Sequence, residues 1–373
     1  MLDREHQHFM SSIMSTHHRS RDSLAEGPSY RLLGRSIIIV TVCVLALLST
    51  CATRSVPTQT GPVHLILDTD MRSDCDDAGA LAVAHHLMNL GEAELIGVIA
   101  STTGPHIVGA IDAINHYYGR PDIPIGLSPV ENEVSDDFFA PTLADTAKYP
   151  SVQFNATAPD STRLYRQLLR DAEAPVTIAV VGFQGPISAL LDSPADYDGD
   201  GIPLTGRELI EHNVQELVLM AGHFTDPKHN EWNVQHNIRA ARNVAQNWPG
   251  EIVYSGFEIG VEIMTGSTLS DPERNPVAMA YELYPWTDGG AGVIGNRHSW
   301  DQAAVLYAVR GTSSDGDRLW QLSDTGRTTF NWSAPWTEFE PAMDGLHRHK
   351  VAHMPPAGVA SIIEEMMAAP PQR

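Results

Sequence analysis

The chain has few cysteines and few positive charges for its length. Three cysteines in 373 residues predict no disulfide framework, because two of them, Cys43 and Cys51, lie in or beside an apolar run near the N-terminus. Lys and Arg total 24 against 46 Asp and Glu, for a formal net charge of -22. No basic stripe interrupts this acidic composition. Such a chain would repel a phosphate backbone, so the sequence predicts no nucleic-acid partner.

The N-terminal apolar run is too short for a comfortable membrane span. The run at 36–48 (SIIIVTVCVLALL) has arginines before it and small residues after it, which is the order of a signal peptide. We therefore expect a polar, disordered leader at 1–35, a signal peptide or lipoprotein signal at 36–52 and a linker at 53–62. The residues that end at Cys51 (LSTC) resemble a bacterial lipobox, except that threonine precedes the cysteine. A cleaved signal, a lipid anchor and a single anchor helix all stay open, and we expect an exported protein, either periplasmic or a membrane-anchored lipoprotein.

Beyond residue 62, short β-rich runs alternate with longer helical stretches. Helices are predicted at 78–90 and 358–367, and apolar strands at 63–67, 95–100, 176–181, 217–220 and 252–254. This alternation predicts an α/β fold, a Rossmann-like open and mostly parallel sheet with helices on both faces, in a single domain over 63–373. Ligands of such sheets bind beyond the carboxyl ends of the strands, so the turns after the strands are the places to inspect.

Five carboxylates follow the first strand within ten residues. They lie in the segment DTDMRSDCDD as Asp68, Asp70, Asp74, Asp76 and Asp77. Packed at a strand end they would repel one another strongly unless a cation lay among them. Oxygen ligands without a nearby His or Cys pair favour calcium or magnesium over zinc. The alternative is a helix N-terminus whose acids complement the helix dipole, which normally needs one or two carboxylates rather than five.

The segment 67–82 (LDTDMRSDCDDAGALA) resembles the Asp-rich fingerprint of the inosine-uridine-preferring nucleoside hydrolases, DTDPGIDDALAL, with two extra residues between DTD and DD. The resemblance implies the nucleoside hydrolase fold and a Ca2+ cofactor. It also implies that Asp70 is both a metal ligand and the general base, that Asp77 is a bidentate metal ligand, and that Asp76 accepts a ribose hydroxyl. The two extra residues leave the role of Asp74 open.

Later segments follow in the order that the family has. The segment at 176–191 (VTIAVVGFQGPISALL) resembles the family's strand followed by a GPLTN turn, and MAG at 220–222 resembles its MGG turn. EWN at 231–233 resembles the EFN segment, and SWD at 299–301 resembles the late HDxxA segment. On this match the backbone carbonyl of Gln184 would bind the metal. Glu231 would reach the 5′ side of the ribose, and Asn233 would grip its hydroxyls. Asp301 would complete the metal shell and bind the sugar.

The implied reaction is hydrolysis of the N-glycosidic bond of a ribonucleoside to ribose and base, by water held on calcium with an Asp base. Trp300 stands where purine-preferring members often have His. An indole cannot protonate a base but can stack on one, so we expect Trp300 to bind substrate. Histidines near the predicted site are candidates for the leaving-group acid: His223, His229, His236 and His298. The expected partner is a small-molecule ribonucleoside, and a homo-oligomer stays open.

Two other functions compete with this interpretation. Asp68-Thr69-Asp70 after a strand also fits the DxD nucleophile of a haloacid-dehalogenase-type phosphatase, although Arg72 stands where that motif has Thr or Val. A non-catalytic ribosyl- or carbohydrate-binding surface protein on the same fold is the second.

The segment Asp196–Gly201 (DYDGDG) resembles the start of an EF-hand loop, but Arg207 occupies the twelfth position, where a bidentate Glu is needed. An acidic turn is the simpler interpretation, and a second calcium site is the alternative.

Overall fold

The structure is a computed structural model and describes residues 61–130 and 137–372. The residues that the structure describes form one compact unit. The predicted leader and signal segment lie outside the described residues, as does all but the end of the predicted linker, so export and anchoring stay predictions. Among the helices that the structure describes, none is long and apolar enough to cross a membrane.

Strands and helices alternate along most of the chain, and short strands follow. The strands are β1 (Val63–Thr69), β2 (Ala93–Ala100), β3 (Ile125–Leu127), β4 (Val176–Val180), β5 (Val214–Met220), β6 (Ile252–Ser255), β7 (Met264–Thr265), β8 (Arg297–His298), β9 (Ser313–Ser314), β10 (Asp317–Arg318), β11 (Trp320–Leu322), β12 (Gly326–Phe330), β13 (Thr337–Pro341) and β14 (His347–Ala352). The α-helices are α1 (Asp76–Asn89), α2 (Ile107–Tyr117), α3 (Ala140–Leu143), α4 (Ser161–Asp171), α5 (Gly185–Asp192), α6 (Gly206–Asn213), α7 (Trp232–His236), α8 (Ile238–Asn247), α9 (Phe257–Gly260), α10 (Pro276–Leu283), α11 (Trp300–Arg310) and α12 (Pro356–Ala368).

The main sheet is open and mostly parallel. Its strand order is β13-β12-β14-β6-β5-β4-β1-β2-β3, with β11 paired to β14. The strands from β3 to β14 in this order are parallel, whereas β11, β12 and β13 pair antiparallel. From β1 the chain builds β2 and β3 on one side and then β4, β5 and β6 on the other, so the strand order reverses at β1. A crevice opens at the carboxyl ends of strands at such a reversal, and this is where open α/β sheets bind ligands.

Both faces of the sheet are covered because its strands are apolar on both sides. Leu65 and Leu67 of β1 belong to a core shared with α1, α2, α10, α11 and α12. Ile66 packs in a second core with residues of α4, α5, α6 and α8. Parallel strands buried in this way carry near-continuous apolar runs. The predicted fold class, a mostly parallel open sheet with helices on both faces, is confirmed.

Two local features differ from the expectations. α1 begins at Asp76 rather than at Ala78, which brings Asp76 and Asp77 into its first turn, where the free N–H groups favour negative charge. The strands between 313 and 352 were not predicted, because they are short and mix polar with apolar residues, as in GRTTF of β12 and HRHKVA of β14. β11, β12, β13 and β14 extend the sheet beyond β6.

Candidate active site

An open cavity of about 430 Å³ lies at the carboxyl edge of the sheet beside β1. Its walls come mainly from the turns after β1, β4 and β5, the first turns of α1 and α11, and the loop before β8. One group of lining residues is acidic: Asp70, Asp74, Asp76, Asp77, Glu231 and Asp301. A second group is aromatic: Trp232, Phe257, Tyr284, Trp286 and Trp300. Apolar walls with a few convergent polar groups are typical of small-molecule sites.

Three of the carboxylates meet in one place. Asp76 and Asp77 are the first two residues of α1, and Asp301 is the second residue of α11. One oxygen atom of each lies within 4.8 Å of those of the other two. The two helices pack against each other in the same core. Residues from distant parts of the chain therefore form a single cluster, which we call the carboxylate cluster (Asp76, Asp77 and Asp301).

Two glycines allow backbone segments to approach closely around the carboxylate cluster. A Cβ on Gly182, just after β4, would lie 2.6 Å from the backbone nitrogen of Asp70. A Cβ on Gly260, at the end of α9, would lie 2.3 Å from Cα of Trp300. Only a residue without a Cβ fits such positions. The turn after β4 therefore packs directly on the Asp70 turn, and α9 packs on the first turn of α11.

Burial shifts these carboxyl groups out of their usual ionisation range. Desolvation raises the pKa of Asp70 to about 7. It also raises the pKa of each member of the carboxylate cluster well above its ordinary value, and repulsion from neighbouring acids adds to the shift. Hydrogen bonds oppose this effect, because Thr69 Oγ1 donates to Asp77 and the backbone N–H of Asp301 donates to Asp76 at 3.3 Å. Desolvation and repulsion outweigh these bonds.

The carboxylate cluster fits a hard divalent cation. Its members offer only oxygen, are buried and lie close enough to share one ion. A positive charge among them would stabilise their ionised forms and offset the repulsion, and oxygen ligands suit Ca2+ or Mg2+ better than Zn2+. Asp70 lines the same cavity as the carboxylate cluster. Burial is the main cause of the raised pKa of Asp77 and Asp301, and repulsion from Asp70 adds to it. Asp70 Oδ2 accepts a hydrogen bond from Ser73 Oγ at 3.2 Å.

Asp74 forms an ion pair with Arg297. The guanidinium Nε lies 3.0 Å from both oxygens of Asp74, and Nη2 contacts Oδ2 as well. Cζ of Arg297 lies 5.2 Å from the ring centre of Tyr284 and 5.0 Å from that of Trp300, within cation–π range. Both charged residues line the cavity. Arg297 stands four residues before Asp301, but nothing in the local sequence pattern indicates that its partner is Asp74.

Glu231 and Asn233 line the cavity and also hold its backbone together. The carboxylate of Glu231 accepts the backbone N–H groups of Gly222 (3.1 Å), Asn233 (2.9 Å) and Val234 (3.1 Å), while burial raises its pKa to about 7. Asn233 Nδ2 donates to the carbonyl after β4 at 2.7 Å and to the last carbonyl of β5 at 3.0 Å. Oδ1 of Asn233 is then the side-chain atom left to accept from a ligand.

The indole of Trp300 has a fixed orientation in the cavity wall. Its Nε1 donates to the carbonyl of Phe257 at 2.9 Å. The centre of its ring lies 5.2 Å from that of Phe257 and 4.9 Å from that of His298. Trp232, Tyr284 and Trp286 also line the cavity. Of these only Trp232 lies inside a segment that the sequence singled out, because the loop after α10 has no pattern that marks a site.

None of the four histidines considered as acids is among the described residues that line the cavity. His223 and His229 contact Phe257, and His236 contacts Trp232. Burial lowers the pKa of His223 and His298, which disfavours the protonated form that an acid needs. The structure therefore does not bring these side chains together with the carboxylate cluster.

Gln184 and Asp68 are not among the described residues that line the cavity. The carbonyl of Gln184 accepts the N–H of Ser188 at 3.0 Å at the start of α5, and its buried side-chain amide has no hydrogen-bond partner in the described part of the chain. Its role as a metal ligand stays a prediction. Asp68 is fully buried, and its Oδ2 accepts a hydrogen bond from Tyr165 at 2.8 Å.

The 196–201 turn uses its carboxylates within the protein. Asp200 pairs with Arg166 at 2.5 Å, and Asp198 pairs with Arg163 at 3.0 Å. Within 61–130 and 137–372, the carboxylate cluster is the one group of three or more acidic, His or Cys side chains placed to hold a metal ion. The structure thus favours the acidic-turn interpretation of 196–201 over a second calcium site.

No protein-family model matches the chain, and no curated protein matches it. Solved structures match most of its length. A purine-preferring ribonucleoside hydrolase from Gardnerella vaginalis gives a TM-score of 0.62 at 16% identity, over 82% of this chain and 98% of that one. The inosine-uridine preferring nucleoside hydrolase from Bacillus anthracis gives 0.56 at 15% identity, over 82% and 99%. The type III effector protein XopQ, solved with adenosine diphosphate ribose, gives 0.58 at 14% identity, over 83% and 94%. These similarities show that the chain has the fold found in nucleoside hydrolases.

Proposed function

We propose that the chain hydrolyses the N-glycosidic bond of ribonucleosides, giving ribose and a free base, and that its cofactor is Ca2+ held by Asp77 and Asp301 with Asp70 beside them. The observation that carries the proposal is the convergence of buried carboxylates from α1 and α11 on one cavity at the strand-order reversal. The fold is also the one found in named nucleoside hydrolases. The cavity combines oxygen ligands for a cation with aromatic surface for a planar base.

Bound at this cluster, the ion would supply positive charge that acidifies a water molecule and orients sugar hydroxyls. Asp70 then serves as the general base. In the metal-free fold burial raises its pKa to about 7, and a cation beside it would lower that pKa and keep the carboxylate ionised, which is the form that accepts a proton from water. The hydrogen bond from Ser73 to Asp70 Oδ2 (3.2 Å) holds the carboxylate in one orientation.

Polar groups on the cavity wall would anchor the ribose. Asp76 accepts a hydrogen bond from one sugar hydroxyl, and Asn233 Oδ1 accepts a hydrogen bond from a second. Oδ1 is the free atom of this side chain because Asn233 Nδ2 already donates to two backbone carbonyls. Glu231, which the resemblance places at the 5′ side, accepts three backbone N–H groups and so fixes the position of Asn233 as well. Anchoring at several points aligns the anomeric carbon with the attacking water.

The departing base would lie against the aromatic residues of the cavity. The indole of Trp300 is oriented by its hydrogen bond to the Phe257 carbonyl, and Trp232 and Trp286 are about half exposed. Stacking on these rings would hold the planar base while the glycosidic bond breaks. The departing ring nitrogen would take its proton from solvent water, so that ribose and the neutral base are the products.

A product assay tests the proposal. The purified chain is incubated with inosine, adenosine, uridine and cytidine, with added calcium or with a chelator, and released reducing sugar is measured. We expect ribose from at least one nucleoside, lost on chelation and absent in the matched variant Asp70→Asn. Release of phosphate from p-nitrophenyl phosphate without any ribose would instead support a phosphatase, although its nucleophile, Asp68, is buried against Tyr165. Nucleoside binding by calorimetry without any ribose would support a ribosyl-binding protein.

We also propose, from the sequence alone, that the chain is exported. Its location is then either the periplasm or a membrane surface, to which a lipid on Cys51 anchors it. Mass spectrometry of the mature N-terminus tests this, and a mature protein that retains residues 1–35 would contradict it. Whether the chain forms a homo-oligomer is a separate question for light scattering.

A further inference from the structure

The Asp74–Arg297 ion pair joins the two parts of the chain that carry the carboxylate cluster. Asp74 stands two residues before Asp76, and Arg297 stands four residues before Asp301. Two nitrogens of the guanidinium face the same carboxylate. The side chains are only 17% (Arg297) and 22% (Asp74) exposed. The pair therefore bridges the approach to α1 and the approach to α11 directly at the cavity.

The bridge is rigid rather than a loose surface contact. An exposed pair with one hydrogen bond contributes little, but a bidentate guanidinium–carboxylate pair fixes both distance and direction. The rings of Tyr284 and Trp300, at 5.2 and 5.0 Å from Cζ, hold the Arg297 guanidinium further. Moving α11 away from α1 at this end would break every contact between the Arg297 guanidinium and the Asp74 carboxylate together.

We infer that the Asp74–Arg297 pair is a latch that holds the first turns of α1 and α11 at the separation needed to share a metal ion, and that Arg297 is a positioning residue for the metal site. The inference rests on the metal site of the proposed function, but not on any catalytic step. It also gives a role to Asp74, which lies in the stretch where this chain departs from the fingerprint it resembles.

The latch and the charge of Arg297 act on cation binding in opposite directions. A guanidinium close to the carboxylate cluster repels a metal ion, so by charge alone its removal would tighten calcium binding. Loss of the latch lets the ligand-bearing turns separate, which weakens binding, and removal of groups that orient metal ligands typically weakens affinity about 10- to 100-fold. The sign of the change therefore distinguishes the two effects.

Isothermal titration of Ca2+ into the metal-free full chain tests the latch. We expect Arg297→Gln to raise the calcium Kd about 10-fold or more, and the double variant Asp74→Asn/Arg297→Gln, whose net charge equals that of the wild type, to show a similar loss. Arg297→Lys keeps the charge without the planar fork, so it should recover only part of the affinity. An Arg297→Gln protein that binds calcium as tightly as the wild type, or more tightly, overturns the inference. If that variant fails to fold, Arg297→Lys with wild-type affinity would overturn it equally.

A matched ion pair at the other end of α11 provides the control. Arg310 contacts Glu92 through Nε at 2.6 Å and Nη2 at 2.8 Å. Arg310→Gln should lower the melting temperature of the metal-free protein while leaving the calcium Kd unchanged. An equal loss of affinity in Arg310→Gln would show general destabilisation and overturn the latch. A wild-type chain that binds no calcium would overturn the metal site of the proposed function. A wild-type chain that binds calcium, together with an Arg297 variant that binds it equally well, would overturn only the latch.

Discussion

Calcium should stabilise the protein more strongly as the pH rises. In an unfolded chain an Asp side chain loses its proton above a pH of about 3.9, whereas burial raises the pKa of Asp70 in the metal-free fold to about 7. Between these values the folded, metal-free protein holds more protons than the unfolded chain. Its stability therefore falls as the pH rises through this window. The carboxylate cluster shifts in the same direction, and bound calcium reverses the effect because it binds the ionised carboxylates.

Two quantities set the size of this calcium effect: the pKa shift of Asp70 and the saturation of the calcium site. About three pH units separate the two pKa values of Asp70, and each unit corresponds to 1.36 kcal/mol, so Asp70 alone would destabilise the metal-free fold by up to about 4 kcal/mol at pH 7 and above. Calcium at 100 times its Kd stabilises by about 2.7 kcal/mol. A large domain gains about 2 to 4 °C in Tm per kcal/mol, so the stabilisation of about 2.7 kcal/mol by calcium corresponds to a rise of about 5 to 10 °C.

Differential scanning calorimetry of the metal-free chain at pH 5, 6, 7 and 8, with and without excess calcium, measures this effect. We expect the calcium-induced rise in Tm to be near zero at pH 5 and about 5 to 10 °C at pH 8, and we expect Asp301→Asn to abolish it. A rise of the same size at every pH would refute the reasoning. A metal-free protein that is most stable at pH 8 would refute it as well.

Three further outcomes are expected. Asp70→Asn should lower the rate of ribose release at least about 100-fold while circular dichroism shows an unchanged fold; near-normal turnover would eliminate Asp70 as the base. Tyr165→Phe removes the hydrogen bond to buried Asp68 (2.8 Å) and should lower the free energy of unfolding in urea by about 1 to 3 kcal/mol. The control Tyr118→Phe, at a buried hydroxyl without a partner in the described residues, should have almost no effect, and equal losses would contradict this. Trp300→Ala should raise KM for nucleosides about 3- to 10-fold through lost stacking, and an unchanged KM would exclude a stacking role.

The sequence predicted those parts of the fold and site that depend on local pattern. The apolar run of β1 followed by acids indicated a strand end that holds carboxylates, and the structure places Asp70, Asp76 and Asp77 in the cavity. Asp301 could be assigned to the same site only through the resemblance to a family. Its local sequence is the start of an apolar helix, which does not indicate a metal ligand.

Other parts of the site depend on contacts between distant residues. The pairing of Asp74 with Arg297 is decided by how α1 packs on α11, which no short segment encodes. The backbone contacts of Glu231 depend likewise on where the turn after β5 comes to lie. Trp286 follows a proline in a loop, and its place in the cavity wall depends on the path of that loop rather than on a periodic pattern.

A crystal structure of the chain grown with calcium and ribose tests the central claim most directly. We predict electron density for one ion in contact with Asp77 and Asp301, with Asp70 beside it and ribose hydroxyls towards Asp76 and Asn233. An ion bound elsewhere, or a cluster that stays empty of both ion and sugar at saturating concentrations, would contradict the claim.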